Sequence, residues 1–233
     1  MKLKLLKKQN EAKGTVYFFF KPEKEVTWLP GQYFYHTLPK LNYPDPKGAT
    51  RHFTISSSPT EGNIIRLTTR IRNESGFKQT LNKLPVGTEI EGEGPSGTFI
   101  LDENEPGPHV ILAGGIGITP FRAIIKYLVD KKLKTPIYLI YSNSTPEEIT
   151  FEKELEAWAK KYSNINIQFI VTSKDGRVDE EKINKFLDDW NLKINDCLFW
   201  LCGPPPMVDG MESVLGKMKV GLDQVRSEKF TGY

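Results

Sequence analysis

The stretch Val110-Ile111-Leu112-Ala113-Gly114-Gly115-Ile116-Gly117-Ile118-Thr119-Pro120 decides the fold of this chain. Val110–Ala113 is apolar and predicts a short buried strand. Thr119 suits a helix N-cap, and Pro120 suits the first helical position, where its missing N–H costs nothing. A strand, a glycine turn and a helix in this order can hold a diphosphate, because glycines let it approach the backbone and the helix N-terminus favours its charge. The spacing differs from the G-x-G-x-x-G fingerprint, so a tight turn without a ligand explains the stretch equally well on its own.

Composition narrows the class of protein. The chain has 233 residues, of which 38% are hydrophobic and 26% charged, as in a soluble globular protein with one large domain or two small ones. Its apolar runs are too short to span a membrane, and its lysine-interrupted N-terminus is unlike a signal peptide. The net charge of +3 is too small to indicate a nucleic-acid partner. Membrane insertion and nucleic-acid binding are therefore not expected.

The two cysteines, Cys197 and Cys202, lie on one predicted strand. At roughly 3.3 Å per residue they stand about 16 Å apart and point to opposite faces, which excludes a mutual disulfide. Unpaired cysteines favour a reduced, cytoplasmic setting. The histidines His36, His52 and His109 are scattered, so no zinc site or iron–sulfur cluster is predicted. Any redox chemistry would therefore depend on an organic cofactor.

Residues 1–103 carry the pattern of a small antiparallel β-barrel. Short segments with β-branched and aromatic residues, separated by glycine and proline turns, predict six strands. The predicted strands are Lys2–Gln9, Gly14–Lys21, Gln32–His36, Arg51–Ser56, Asn63–Ile71 and Thr88–Glu93. One short helix is predicted over Gly76–Leu84. Six strands with one helix are typical of a barrel.

Residues 109–233 carry the pattern of an α/β domain. The polar, proline-containing segment 104–108 is the predicted linker between the two parts. Beyond it, nearly continuous apolar strands alternate with helices, which predicts a doubly wound parallel sheet. The predicted strands are Val110–Ala113, Ile137–Ser142, Ile165–Thr172, Cys197–Leu201 and Gln224–Glu228, and the predicted helices are Pro120–Asp130, Glu147–Lys161, Glu180–Trp190 and Pro206–Met218.

Two places in the predicted barrel suit a ligand that combines a phosphate with a flat ring. Arg51 and Phe53 share one face of a strand, and arginine suits phosphate as phenylalanine suits stacking. An edge strand that enters the serine-rich turn Ser56–Pro59 explains the same residues without a ligand. Ser75-Gly76-Phe77-Lys78 opens the short helix, whose free N–H groups form an anion site unless they are merely capped.

Four loops follow strands of the predicted parallel sheet along one rim. They are the glycine turn, Tyr141–Ser144, Thr172–Arg177 and Cys202–Met207. Ligands bind such sheets at the carboxyl ends of the strands, so together these loops favour a nucleotide site. Cys202 by itself has the pattern of a buried thiol rather than a reactive one.

The motifs R-x-F-T-x-x-S, S-G-F-K, G-G-I-G-I-T-P, Y-S-N, C-G-P-P-P-M and E-x-F, in this order, resemble those of the ferredoxin–NADP reductase-like flavoproteins. The resemblance covers essentially the whole chain. It implies FAD on the barrel and NADH or NADPH on the α/β domain. It also implies an oxidoreductase that passes a hydride from NAD(P)H to FAD and then electrons to a separate acceptor, either a small redox protein or a small molecule.

The resemblance also implies residue roles. Arg51 and the backbone of Ser75–Lys78 would hold the flavin diphosphate, Phe53 would stack on the isoalloxazine, and Gly114–Pro120 would hold the nicotinamide diphosphate. The implied catalytic residues are Thr54 near flavin N5, Cys202 near the nicotinamide, Glu228 positioning it, and Phe230 covering the flavin. The implied cofactor-binding residues are Arg51, His52, Phe53, Thr54, Thr69, Ser75, Gly76, Phe77, Lys78, Gly114, Gly115, Ile116, Gly117, Thr119, Pro120, Ser142, Asn143, Cys202, Gly203, Pro204 and Phe230.

Departures from the family pattern leave alternatives open. The family often has tyrosine at the position of Phe53 and a serine three residues after Gly76, and Tyr233 could compete with Phe230 as the flavin cap. A non-catalytic nucleotide-binding subunit of a larger redox complex and a free-flavin reductase are the rival functions. Retention of all four catalytic candidates favours an enzyme, and Arg51 with Ser75–Lys78 favours a firmly held FAD.

The choice of nicotinamide cofactor depends on the loop after the second strand of the sheet. Ser142-Asn143-Ser144-Thr145 has neither an arginine for a 2′-phosphate nor an acid for a 2′-hydroxyl. Lys174 and Arg177 on the next loop flank Asp175 and could reach a phosphate. The sequence leaves the preference open, with a lean towards NADH.

Overall fold

A computed structural model of the chain describes residues 1–105 and 107–230, which divide into two units. Of the described residues, the first unit contains 1–101 and 119–130, and the second contains 102–105, 107–118 and 131–230. Within the described residues, no helix is both long enough and apolar enough to cross a membrane.

The first unit is built on an antiparallel sheet. Its strands are β1 (Lys2–Ala12), β2 (Thr15–Pro22), β3 (Tyr33–Thr37), β4 (Thr50–Thr54), β5 (Ile65–Arg70) and β6 (Glu89–Ser96). Their order is β4-β3-β6-β1-β2-β5, and a bridge between Ile55 and Leu67 joins the two end strands. The predicted antiparallel barrel is confirmed, and closure pairs strands that would otherwise be free edges.

Side-chain alternation along the strands fills the barrel. Leu3 and Leu5 of β1 and Phe18 of β2 are fully buried, while Lys2 and Lys4, which alternate with these leucines, face solvent. Helix α1 (Gly76–Lys83) adds Phe77 and Leu81 to the same apolar cluster. The barrel core therefore fixes the start of α1, where the candidate anion site lies.

A second helix, α2 (Thr119–Lys131), contributes residues 119–130 to the first unit. Its Arg122 is only 2% exposed and forms a bidentate ion pair with Glu61, with Nη2 to Oε1 at 3.0 Å. Arg122 also donates to the Ser56 carbonyl at 3.1 Å. The guanidinium is buried although the Glu61 carboxylate is partly exposed, so removing Glu61 would leave a buried positive charge without this carboxylate, and the pair anchors α2 to the turn after β4.

The start of α2 differs from the prediction. A 3₁₀ turn, Gly115–Ile118, runs directly into α2, and Thr119 is the first α-helical residue. The N-cap role predicted for Thr119 is therefore wrong, because a cap needs extended backbone and the residues before Thr119 are already helical. Pro120 still lies in the first turn, where no intrahelical N–H is required.

The second unit is built on a parallel sheet. Its strands are β7 (His109–Gly114), β8 (Ile137–Asn143), β9 (Ile165–Val171), β10 (Leu198–Gly203) and β11 (Val225–Lys229). Its helices are α3 (Glu152–Lys161), the one-turn α4 (Thr172–Asp175), α5 (Glu180–Asp189) and α6 (Pro205–Lys217). The strand order is β11-β10-β7-β8-β9 and every pairing is parallel, which confirms the predicted sheet.

The helix predicted over 147–161 is broken. A 3₁₀ turn occupies Pro146–Glu148, and α3 begins only at Glu152. Between them Phe151 has φ +64° and ψ +19°, a left-handed conformation that is costly for a bulky residue. Its side chain is 1% exposed, so burial of the ring outweighs the local helical preference.

Candidate functional site

The barrel presents Arg51 and Phe53 on one side of β4, as alternation predicts. The ring of Phe77 in α1 lies 5.5 Å from the Arg51 guanidinium and 5.8 Å from the Phe53 ring. Phe53 is half-buried and packs on the barrel core with part of its ring exposed. The structure thus joins an arginine, a partly exposed ring and the start of α1.

Asp45, from the loop before β4, places its carboxylate on this arginine. The Arg51 guanidinium forms an ion pair with Asp45 and also donates to the carbonyls of Lys47 and Thr50, both at 2.7 Å. The other carboxylate oxygen accepts from the Phe77 backbone N–H at 2.9 Å and from the Ser75 hydroxyl at 3.2 Å. An anion is therefore bound at the start of α1 by the predicted residues Arg51, Ser75 and Phe77.

The carboxylate is stabilised as an anion. Burial opposes ionisation, but hydrogen bonds from the Phe77 and Lys47 N–H groups and the charge of Arg51 hold the pKa of Asp45 below its usual value. The side chain of Asp45 is 4% exposed and that of Arg51 8%. We call this arrangement of Arg51, Ser75 and Phe77 around a carboxylate the anion seat.

Two further predicted residues, Gly76 and Lys78, lie beside the anion seat. Gly76 must be glycine, because a Cβ there would lie 2.3 Å from the Pro44 carbonyl and 2.5 Å from that of Tyr43. Lys78 is 2% exposed, and burial together with the charges of Arg72, Arg51 and Lys47 lowers its pKa to about 8. A buried lysine surrounded by positive charge favours a bound anion nearby.

Thr54, Thr69 and His52 lie elsewhere on the barrel. Thr54 at the end of β4 is 5% exposed, and Thr69 in β5 is 2% exposed. His52 points to the opposite face of β4, where its ring lies 4.9 Å from that of Tyr33 and 5.5 Å from that of Tyr35. The structure therefore does not bring His52 to the anion seat.

The second unit places the glycine turn where the strand order reverses. β7 lies between β10 and β8, so the crevice at its carboxyl end is a topological switch point. A Cβ on Gly117 would lie 2.2 Å from the Cys202 carbonyl, which makes glycine obligatory there. Gly114 and Gly203 face each other, with the Cβ position of Gly203 3.1 Å from the Gly114 carbonyl. These glycines let the turn pack directly against the end of β10 at the switch point.

Cys202, Glu228 and Phe230 meet at the same end of the sheet. Cys202 and Glu228 are register partners between β10 and β11, and the Phe230 N–H donates to the Gly203 carbonyl at 2.9 Å. Burial raises the pKa of Glu228 to about 7, and its Oε2 is buried without a hydrogen-bond partner among the described residues. Burial and the nearby Glu228 raise the pKa of the Cys202 thiol, so it stays protonated. Tyr233, the alternative flavin cap, lies outside the described residues.

Tyr141 links the glycine turn to the loop after β8. Its hydroxyl donates to the Gly115 carbonyl at 2.9 Å and accepts from the Thr150 N–H at 3.2 Å. Ser142 donates to the Ala113 carbonyl at 3.3 Å, and Asn143 is buried. The predicted rim residues therefore lie directly beside the turn.

The remaining predicted nucleotide residues flank these groups. Ile116 is buried within the 3₁₀ turn, and Pro204 is half-buried immediately before α6. Lys174 and Arg177 are exposed, and Asp175 between them accepts from the Val171 N–H at 2.8 Å. Asp175 therefore caps the end of β9. Lys174 and Arg177 on either side of it face solvent.

Sequence reasoning missed Asp45 and the hydrogen-bonding role of Tyr141. Asp45 lies between Pro44 and Pro46, a pattern that predicts only a turn, and its partners Ser75 and Phe77 are 30 and 32 residues away in sequence. Tyr141 was assigned to the rim, but its hydroxyl points to the glycine turn, which only the strand register reveals.

Two family models match the chain. Residues 2–100 match the oxidoreductase FAD-binding domain, and residues 111–213 match the oxidoreductase NAD-binding domain. Together they span the barrel strands and the first four strands of the parallel sheet. The predicted FAD and nicotinamide cofactors are confirmed at the level of these domains.

Individual proteins give the same result. The chain is 24% identical to a flavohemoprotein from Oceanobacillus iheyensis over 97% of its length and 58% of that protein. It is 28% identical to NADH-cytochrome b5 reductase 1 from Aspergillus oryzae over 89% of its length and 75% of that protein. A solved ferredoxin-NADP+ reductase from Plasmodium falciparum has the same fold, with a TM-score of 0.80, 20% identity and coverage of 98% and 95%. The chain spans about three fifths of the length of several curated relatives.

Proposed function

This chain belongs to the ferredoxin–NADP reductase-like flavoprotein family, and on that premise we propose that it is an NAD(P)H-dependent reductase that feeds a separate acceptor. The observation that carries the proposal is the anion seat. Its donors already bind a carboxylate beside a partly exposed phenylalanine ring, which is the arrangement that a flavin nucleotide requires.

The chain's own residues supply binding and orientation. FAD, when bound, supplies the capacity to accept a hydride and release electrons one or two at a time. We propose that Arg51, Ser75 and the first N–H groups of α1 bind its diphosphate, and that Phe53 supports its ring. Thr54 at the end of β4 is proposed to donate to the flavin ring.

The second unit is proposed to hold the nicotinamide nucleotide. The glycine turn is proposed to receive the diphosphate, because it follows β7 at the topological switch point of the sheet. Cys202 and Glu228 lie together at the same end, and near neutral pH Glu228 is partly protonated and able to donate or accept at the nicotinamide. Phe230 is proposed to cover the flavin until the nicotinamide takes its place.

NADH is the proposed donor. The residues after β8 offer no arginine, Lys174 and Arg177 face solvent, and one relative named for NADH is 28% identical. Steady-state kcat/KM values for NADH and NADPH should lie within about a hundredfold, in favour of NADH. A preference for NADPH that Arg177→Ala abolishes would contradict this assignment.

The acceptor is proposed to be a small redox protein or a small molecule. Relatives carry different names, including flavohemoprotein and NADH-cytochrome b5 reductase, so the family does not dictate one acceptor. A reducing, cytoplasmic setting is part of the proposal, because both cysteines are free and buried.

The test begins with the purified protein. Yellow colour that survives gel filtration, an FAD peak on chromatography after heat release, and NADH-dependent ferricyanide reduction are expected. Arg51→Ala should lose FAD, while Arg177→Ala, which removes an equal charge from the other unit, should retain it. Bound FAD without ferricyanide reduction would indicate the non-catalytic subunit, and colour lost on filtration would indicate a free-flavin reductase.

A further inference from the structure

The anion seat already contains an anion supplied by the chain. Asp45 accepts from Arg51, Ser75 and the Phe77 N–H, which are the donors proposed for the flavin diphosphate. Two anions cannot share these donors, because each N–H and O–H hydrogen points to one acceptor and like charges at such distances repel.

We propose that Asp45 is an intramolecular competitor of the flavin diphosphate: it occupies the anion seat in the cofactor-free protein and is displaced when FAD binds. This inference rests on the proposed flavin function. It makes Asp45 a residue that sets the affinity for FAD, in addition to the residues that contact FAD directly.

The loop that carries Asp45 can leave without disturbing the barrel core. None of residues 42–49 belongs to the buried core, and most of the loop faces solvent. It is held by the Asn42 N–H to the Thr80 hydroxyl at 3.0 Å, by an interaction between Tyr43 and Lys83, and by the close packing of Gly76 against the Pro44 carbonyl. Arg51 also donates to the carbonyls of Lys47 and Gly48, so these polar contacts must be exchanged when the loop moves. Displacement therefore exposes little apolar surface.

The charges around the anion seat favour the incoming diphosphate. Lys78 is influenced by Arg72, Arg51 and Lys47, all of them positive. A dinucleotide diphosphate brings about two negative charges where Asp45 brings one, so exchange improves the local charge balance. Asp45 meanwhile accepts from the Phe77 N–H while FAD is absent, and the Ser75 hydroxyl accepts from the Lys78 N–H, which keeps the helix start ordered.

The alternative role for Asp45 predicts the opposite result. If the carboxylate stays in place and merely orients Arg51, its removal weakens FAD binding. If it competes, FAD binds only those wild-type molecules in which the anion seat is open. The apparent Kd for FAD is then the intrinsic Kd divided by the fraction of open molecules. A seat closed in about nine molecules of ten raises the apparent Kd about tenfold.

The experiment compares three proteins stripped of flavin and titrated with FAD by tryptophan fluorescence. Asp45→Asn keeps the size of the side chain and removes its charge. Glu74→Gln is the matched control, because Glu74 is exposed and lies two residues before the start of the same helix. Inorganic pyrophosphate, as a second probe, reports on the seat without the flavin ring.

We expect Asp45→Asn to bind FAD and pyrophosphate about tenfold more tightly, with Glu74→Gln within about twofold of wild type. We also expect Asp45→Ala to melt at a lower temperature than wild type without FAD and to gain more from FAD. Equal or weaker FAD binding by Asp45→Asn overturns the inference, as does equal tightening by Glu74→Gln. A wild-type protein that binds no FAD overturns the proposed function itself, and the inference with it.

Discussion

The carboxyl group of Glu228 makes a quantitative prediction about stability and pH. Burial moves its pKa from 4.5 to about 7, which disfavours the ionised form in the folded protein by about 3 kcal/mol. The folded state therefore keeps a proton that the unfolded state has already lost between these two pH values. Below pH 4.5 the carboxyl group is protonated in both the folded and the unfolded state, so its full contribution to the free energy of unfolding is present. This contribution is lost as the pH rises through 7.

The size of the effect follows from the two pKa values. Between pH 5.5 and pH 8 the wild-type protein should lose about 2 kcal/mol of unfolding free energy through this group alone. Glu228→Gln removes the titration and keeps the shape, so its stability should lack this component. The difference between wild type and Glu228→Gln should consequently change by about 2 kcal/mol across the interval.

Urea unfolding of the flavin-loaded protein provides the assay. Tryptophan fluorescence reports mainly on the second unit, because three of the four tryptophans belong to it. Glu156→Gln, an exposed acid on α3 of the same unit, is the control for loss of a charge and should parallel wild type. If wild type and Glu228→Gln keep a constant difference from pH 5.5 to pH 8, the carboxyl group is solvated or paired and the reasoning is refuted.

Three further outcomes are expected. Burial lowers the pKa of His36 in the barrel to about 4, so up to about 3 kcal/mol of stability should be lost as the pH falls from 6.5 towards 4. His36→Leu should remove this loss, and the same decline in unfolding free energy in wild type and variant would contradict the prediction. Tyr141→Phe should weaken NAD+ binding about tenfold without loss of FAD, because the Gly115 carbonyl loses its donor; an unaltered NAD+ Kd would exclude this role. Thr54→Ala and Cys202→Ala should each slow flavin reduction in stopped-flow more than they lower FAD content, and wild-type rates would remove both residues from the chemistry.

Much of the fold could be predicted because its signals are local. Alternation in β1 and continuous apolar runs in β7 and β10 indicate a half-exposed barrel and a buried parallel sheet without further information. The break at Phe151 could not be predicted, since the surrounding residues favour a helix and only burial of the ring overrides them. Thr119 failed as a cap for a similar reason, because the glycines before it adopt a 3₁₀ turn that pattern alone does not distinguish from an extended one.

Some residues of the candidate site could likewise be predicted from the sequence, and others could not. Residue type and position beside predicted strand and helix ends are enough to identify Arg51, Ser75 and Gly117 from the sequence. Asp45 and Tyr141 act across 32 and 26 positions of sequence, through contacts that exist only once strands and loops are placed. A carboxylate in a proline-flanked turn has no local property that identifies its partners.

The membership of α2 bears on how this polypeptide can be divided. Residues 119–130 complete the first unit, yet they follow β7 of the second unit in the chain, so the polypeptide is interleaved and has no single point of separation. A fragment that ends in 104–108 would leave Glu61 without Arg122 and would uncover Phe99, whose ring lies 5.7 Å from that of Phe121. A protease that nicks this segment would therefore yield two pieces that remain associated through α2.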